Sequence, residues 1–251
     1  MVITMKNIKN PFADLTLFER GLWGISVAVI ILSAAIMGGA DLFSVTASLI
    51  GVTALIFVAK GYVIGQILTV VFALFYGVIS YGQQYYGEMI TYLGMSSPMA
   101  IAAAIAWLKN PFRGTKEVAV RPMTRMTLVW LYVSTVLVTA AFYFILGAMG
   151  NASLAVSTIS VTTSFLASAL TYLRSPYYAL AYAANDVVLI VLWIIAMTKD
   201  ISCLSMVLCF VMFLCNDLYG FFNWRRMEKT QKMSGAEYKS PLTNRDSYDK
   251  I

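Results

Sequence analysis

The sequence predicts an all-α membrane protein: a 3+1+3 core of transmembrane helices, built from two parallel three-helix repeats, with one extra helix at the N-terminal side. Three observations predict it. Hydrophobic residues make up 60% of 251 positions and charged residues 12%, with a mean hydropathy of +0.76, against roughly 45–50% and about 25% in soluble domains. The apolar residues fall into eight runs, each near the about 20 residues that span a bilayer as a helix. Finally, a polar signature in one run recurs in another at a spacing that copies three runs as a block.

The eight spans read 22–38, 43–59, 62–81, 88–108, 126–148, 154–173, 177–198 and 201–224. In hydrocarbon every backbone N–H and C=O must be satisfied inside the segment, so uninterrupted runs of this length are helices. A barrel would need short alternating segments instead. Lys6, Lys9, Asp14, Glu19 and Arg20 precede the first run, with no short apolar core and cleavage site, so no removable signal peptide is read.

Connector charges set the orientation. One side carries Lys6, Lys9 and Arg20, then Lys60, then Lys109, Arg113, Lys116, Arg121 and Arg125, then Arg174, then Arg225, Arg226, Lys229 and Lys232. The other side carries Asp41, Glu88, the Gly150-Asn151 turn and the balanced Lys199-Asp200 pair. The positive-inside rule then places both termini in the cytoplasm. The net charge of +6 reflects this topology and an anionic inner leaflet, not a nucleic-acid partner. From Glu228 onward the chain is polar and reads as a mobile cytoplasmic extension.

The repeat follows. Ser44-Val45-Thr46-Ala47-Ser48-Leu49 recurs as Ser160-Val161-Thr162-Thr163-Ser164-Phe165; the same spacing sets Tyr62 against Tyr178, and a shift of one sets Trp107 against Trp224. Residues 43–108 and 154–226 are thus the first and second three-helix repeats, 109–153 the basic loop and linker helix, 1–42 the N-terminus with the extra helix, and 227–251 the tail. Both triplets begin on the outer side, so they are parallel repeats and the single helix between them restores the orientation. Such repeats enclose a site near the midplane, as in the sugar-carrying SWEET proteins.

Polar residues deep in the spans mark that site, since a buried charge or amide is costly in lipid. Gln66, Thr69, Tyr76, Ser80 and Gln83 draw one stripe, bordered by Phe72. Tyr178, Tyr182, Asn185 and Trp193 share a face, with Asp186 beside it, as do Asn216, Tyr219 and Asn223, with Asp217 beside it. Amides flanking aromatic rings suit a flat heterocycle bearing hydroxyls: rings stack on it, or hold it by cation–π contact, and amides bond its edges. Tyr178 and Tyr85, near span ends, fit an interfacial belt as well. Asp186 and Asp217 could bind a cation, relay protons or be satisfied by neighbouring helices. Gly61 and Gly65, spaced by four, permit close helix contact.

The 3+1+3 order, Trp193 eight residues after Asn185, the run Asn216-Asp217-Leu218-Tyr219-Gly220, and Tyr86-Gly87-Glu88 after an aromatic-rich helix together resemble the nicotinamide riboside transporter (PnuC) family of bacteria over residues 43–226. The resemblance implies a SWEET-like fold in the bacterial inner membrane. It implies a facilitator that passes nicotinamide riboside without an energy source, the cargo being trapped inside by phosphorylation. The helix at 22–38 departs from shorter members. The substrate-binding residues expected are Gln66, Phe72, Tyr76, Gln83, Gln84, Tyr182, Asn185, Trp193, Asn216 and Tyr219. Trp193→Ala and Asn216→Ala are expected to abolish binding.

Competing classes have less support. No His occurs, which removes His-dependent catalysis, His proton relays and the commonest metal ligand. Cys203, Cys209 and Cys215 are an odd set spaced by six, so neither a disulfide framework nor a metal site fits. A paired-Asp enzyme would have to use Asp186 and Asp217; a retinal receptor would need a Lys deep in the last helix, and 201–224 has none. An ion-coupled carrier of another vitamin, nucleoside or sugar is the alternative. The expected partners are the small-molecule substrate and the bilayer, with no metal or cofactor; the residues leave a homo-oligomer open.

Overall fold

The computed structural model describes residues 10–37, 42–151 and 153–239. The chain forms α1 (Leu17–Met37), α2 (Leu42–Ala59), α3 (Val63–Gly82), α4 (Tyr86–Ile90) continued by a π-helical turn (Thr91–Ser96) into α5 (Ser97–Lys109), α6 (Arg125–Ala148), α7 (Leu154–Tyr172), α8 (Tyr178–Met197) and α9 (Leu204–Lys239). Eight of the spans among the described residues are long and apolar enough to cross a membrane. Asp41, assigned to the outer side by sequence, lies outside the described residues.

Six spans close into a ring. α2 packs on α3, α3 on α5, α5 on α7, α7 on α8, α8 on α9 and α9 back on α2. Helix α1 lies outside against α2 and α9, while α6 packs on α7 and leaves most of its surface, including Trp130, Tyr132 and Phe144, uncovered. That uncovered apolar surface is what a helix bathed in lipid presents.

Local chemistry fixes the ends. Thr16 and Glu19 cap α1 reciprocally: the Glu19 N–H donates to Thr16 Oγ1 and the Thr16 N–H to Glu19 Oε2, satisfying donors that the first turn leaves orphaned. The same Glu19 carboxylate is buried and accepts from Lys60 Nζ at 3.0 Å and Tyr219 Oη at 2.8 Å, which ties α1 to α2 and α9. Thr124 Oγ1 caps α6 by accepting from the Thr127 N–H.

The turn after α2 and the turn after α7 are the same motif. The Gly61 N–H donates to Val58 O and the Tyr62 N–H to Phe57 O; the Arg174 N–H donates to Thr171 O and the Ser175 N–H to Leu170 O. Gly61 (φ +71°) and Arg174 (φ +60°) occupy the left-handed position that ends each helix. The loop between α5 and α6 crosses both turns, the Val118 N–H donating to Gly61 O and the Arg121 N–H to Arg174 O. These bonds gather the basic connectors at one end of the ring, here termed the basic end.

Two features depart from the expected spans. Pro98 has no N–H and its ring crowds the carbonyl four residues earlier, that of Gly94, so the fourth span cannot run as one α-helix and widens into the π turn. The segment from Glu228 onward, expected to be a mobile extension, continues α9 as helix to Lys239. Glu228 bonds Arg225 and Lys232 one turn either side, and the Gln231 side chain donates to Val118 O and accepts from the Val120 N–H, so the basic loop holds the extension in place.

Candidate transport chamber

A cavity lies inside the ring, and all six ring spans line it. α2 contributes Gly51, Ala54, Leu55 and Val58; α3 contributes Gln66, Thr69, Phe72 and Ala73; the π turn contributes Tyr92 and Ser96. α7 supplies Ser164, α8 supplies Tyr182, Asn185 and Asp186, and α9 supplies Phe213 and Asp217. No lysine or arginine is among them. The space open to water is only about 50 Å³, far below the ~300–1,000 Å³ of small-molecule sites. The ring is therefore contracted about its chamber, with room for a few waters at ~10–15 Å³ each.

The walls are held by small and polar side chains. A Cβ on Gly51 would fall 2.2 Å from the Phe213 ring, so only glycine lets that ring reach the cavity. A Cβ on Gly65 would meet Val58 N at 2.5 Å, which brings the start of α3 against the end of α2. Asn185 is buried, and its Oδ1 accepts from Ser160, Thr163 and Ser164 of α7 at 3.3, 2.8 and 3.0 Å. Three hydroxyls on the carbonyl side fix the amide's orientation. Ser160 Oγ also lies 3.2 Å from Glu88 Oε2, linking α4 to the same network.

An aromatic plug closes the chamber towards the end opposite the basic one. Trp193 Nε1 donates to Tyr76 Oη at 2.8 Å, joining α8 to α3. Tyr85 Oη donates to Leu192 O, and Tyr85 packs edge-on to Trp193. Beyond the plug a vestibule of about 300 Å³ opens between Phe43, Gln83, Trp193, Ser202, Cys203 and Met206.

The expected site residues therefore divide. Gln66, Phe72, Tyr182 and Asn185 line the chamber. Tyr76 and Trp193 form the plug, and Gln83 lines the vestibule with Trp193. Gln84 is exposed in the α3–α4 turn with φ +59°. Asn216 points the other way: its amide donates to Ser26 Oγ of α1 and to Met212 O. Tyr219 bonds Glu19 at the basic end. Both sit on the α9 flank that α1 covers, a direction that a one-helix periodicity cannot resolve. Tyr92, Ser96, Ser164 and Phe213 are chamber residues that the stripes did not select. The signal for Tyr92 and Ser96 was Pro98, which breaks the fourth span beside them.

At the basic end the electrostatics are those of a wet boundary. Lys116 holds the Asp14 carboxyl below the usual carboxylate range, whereas burial pushes Glu117 up and lifts the Tyr62 phenol to about 12.

A ring of membrane-spanning helices around a small polar and aromatic chamber, with an aromatic plug on one side, defines a membrane transport protein. Residues 41–226 match the family model described as nicotinamide mononucleotide transporter, and the chain belongs to that family. Two relatives named nicotinamide riboside transporter PnuC are similar to it. That of Neisseria mucosa is 27% identical over 188 residues, covering 73% of this chain and 72% of the relative. That of Haemophilus influenzae is 26% identical over 181 residues, covering 71% and 77%. The crystal structure of the vitamin B3 transporter PnuC shares the fold with a TM-score of 0.76 at 23% identity, covering 86% of this chain and 94% of that one. The relatives are transporters, and the chain is read accordingly as a multi-pass membrane transporter, not an enzyme.

Proposed function

We propose that the protein is a facilitator for nicotinamide riboside, held near the bilayer midplane between two like-oriented helix triplets and trapped after passage by phosphorylation. The observation that carries this is the composition of the chamber wall: Phe72, Tyr92, Tyr182 and Phe213 offer ring faces, while Gln66, Thr69, Ser96, Ser164 and Asn185 offer groups for a carboxamide and ribose hydroxyls. A riboside suits this wall better than its phosphate ester, because among the described residues no lysine or arginine lines it to meet a phosphate.

Two equivalent tryptophans support the parallel repeats. Trp107, ending the first triplet, donates to Thr171 O of α7; Trp224, in the last helix of the second, donates to Val58 O of α2. Val58 and Thr171 hold the same place in the two matching turns. This equivalence pairs Gly61 with Arg174 and Tyr62 with Ser175, a register three residues from the one the Ser/Thr motifs suggest. It also pairs chamber residues, Gly51 with Ser164, Thr69 with Tyr182 and Phe72 with Asn185. The two halves then rock about the chamber to open it to either side.

The test is uptake of labelled nicotinamide riboside into proteoliposomes. Accumulation to the external concentration and no further, unchanged when proton or sodium gradients are imposed, is the expected result. Uptake that follows an ion gradient would replace the facilitator by an ion-coupled carrier. Transport of sugars or other vitamins in place of the riboside would reject the substrate.

A further inference from the structure

Asp186 of α8 and Asp217 of α9 line the chamber, each 3% exposed, and nothing in the proposed function uses them. Their carboxyls are neighbours where α8 packs on α9, and Asp186 Oδ2 has no donor among the described residues. Among the described residues neither carboxyl is paired with a lysine or arginine. Ionised carboxylates only accept, so two neighbouring carboxyls need at least one proton between them. With a single proton between them the pair carries one negative charge, spread over two groups where α8 meets α9.

The chamber is charged on one half only. Ala73 stands twelve residues after Gly61, as Asp186 does after the equivalent Arg174; Ala100 stands seven before Trp107, as Asp217 does before Trp224. The groups that face the pair are neutral: Tyr178 and Tyr182 on α8, Cys209 and Cys215 on α9, and Tyr92 on the π turn. Glu88, on α4, is bonded to Ser160 of α7. α2, α3 and α7 put no charged side chain on the cavity wall.

We propose that Asp186 and Asp217 form a charge-selecting subsite that draws the cationic ring of a pyridinium nucleoside to the α8–α9 side of the chamber. The inference rests on the transport reading above and adds the basis of its selectivity. A lone negative charge in a dry cavity is costly. A cation against it turns the lone charge into a pair, a neutral ring leaves it alone, and a phosphate adds a like charge. The discrimination is thus a difference between ligands of one shape, reinforced by the rings of Tyr92 and Tyr182.

Calorimetry on the purified full-length protein tests it with nicotinamide riboside, its neutral 1,4-dihydro form and nicotinamide mononucleotide. The wild-type protein is expected to bind the cation about tenfold tighter than the dihydro form and the mononucleotide weakest. Asp186→Asn and Asp217→Asn are each expected to erase the preference for the cation while the dihydro form binds within about threefold of wild type. Equal binding of cation and dihydro form by wild type overturns the proposal, as does a preference that survives in the Asn variants. Where an Asn variant fails to fold, Asp186→Glu and Asp217→Glu keep the charge, and loss of the preference in those folded variants overturns it too. The 1-methylnicotinamide cation against neutral nicotinamide gives the same ratio without the ribose. A wild-type protein that binds neither nucleoside form but prefers the methylated ring therefore fails the riboside reading alone, while equal binding of the two small rings overturns the charge subsite.

Discussion

Two asparagines that look alike in sequence do different things. Asn185-Asp186 and Asn216-Asp217 are the same dipeptide at similar depth, yet Asn185 borders the chamber and Asn216 holds α1 through Ser26. Asn216→Ala is therefore expected to cost about 1 kcal/mol of stability, the net value of a buried hydrogen bond, and to leave riboside affinity within about threefold. Thermal melting and calorimetry on the same sample check both halves, and loss of binding by a folded Asn216→Ala protein would return that side chain to the site. Glu19 gives a second prediction at this scale. Lys60 is its only ion-pair partner among the described residues, and Lys60→Met strands a buried carboxylate on Tyr219 and the Thr16 N–H. The expected loss is about 3 kcal/mol, read as a lower melting temperature, with Glu19→Gln in the same background restoring part of it.

Among the elements, the fourth span is the one whose shape the site needs. The π turn rotates Tyr92 and Ser96 into the chamber, and its cause is one residue, Pro98. Pro98→Ala supplies the missing N–H and removes the clash with Gly94 O, so a regular helix becomes available. The expected outcome is equal or higher thermal stability with riboside affinity reduced about tenfold, because a π turn that relaxes to α shifts the register of every residue before it. Unchanged affinity in Pro98→Ala would show that Tyr92 and Ser96 are wall without being contact. Helix existence was legible because apolar run length alone demands it. The π turn and the helical continuation of α9 were not: the first depends on strain around a single proline, the second on a side chain, Gln231, finding a loop more than a hundred residues away.

For the molecule as a whole, a chamber of about 50 Å³ means that the ring must part before any nucleoside is admitted. On the side of the vestibule the contact that must break is the Trp193–Tyr76 hydrogen bond between α8 and α3. Trp193→Phe keeps the ring but removes the donor. A loss of about 1 kcal/mol would raise the population open on that side about fivefold. Ser96 lines the chamber behind the plug, so labelling of a cysteine introduced by Ser96→Cys, with Cys203, Cys209 and Cys215 replaced by alanine, is expected to speed up by the same factor. A labelling rate equal to that of the Trp193-containing protein would place the barrier elsewhere.

What the sequence determined by itself was what the bilayer forces on any chain: eight helical spans, and basic connectors on alternate turns, which the structure collects at one end. Those follow from hydropathy and charge residue by residue, with no knowledge of neighbours. Only the tertiary structure decided which flank of each helix looks inward. It turned Asn185 to the chamber and Asn216 to α1, made Trp193 a plug, and brought Asp186 against Asp217. In lipid the outer and inner flanks of a helix are both apolar, so periodicity carries little sign of direction. The direction is settled by which helices close the ring.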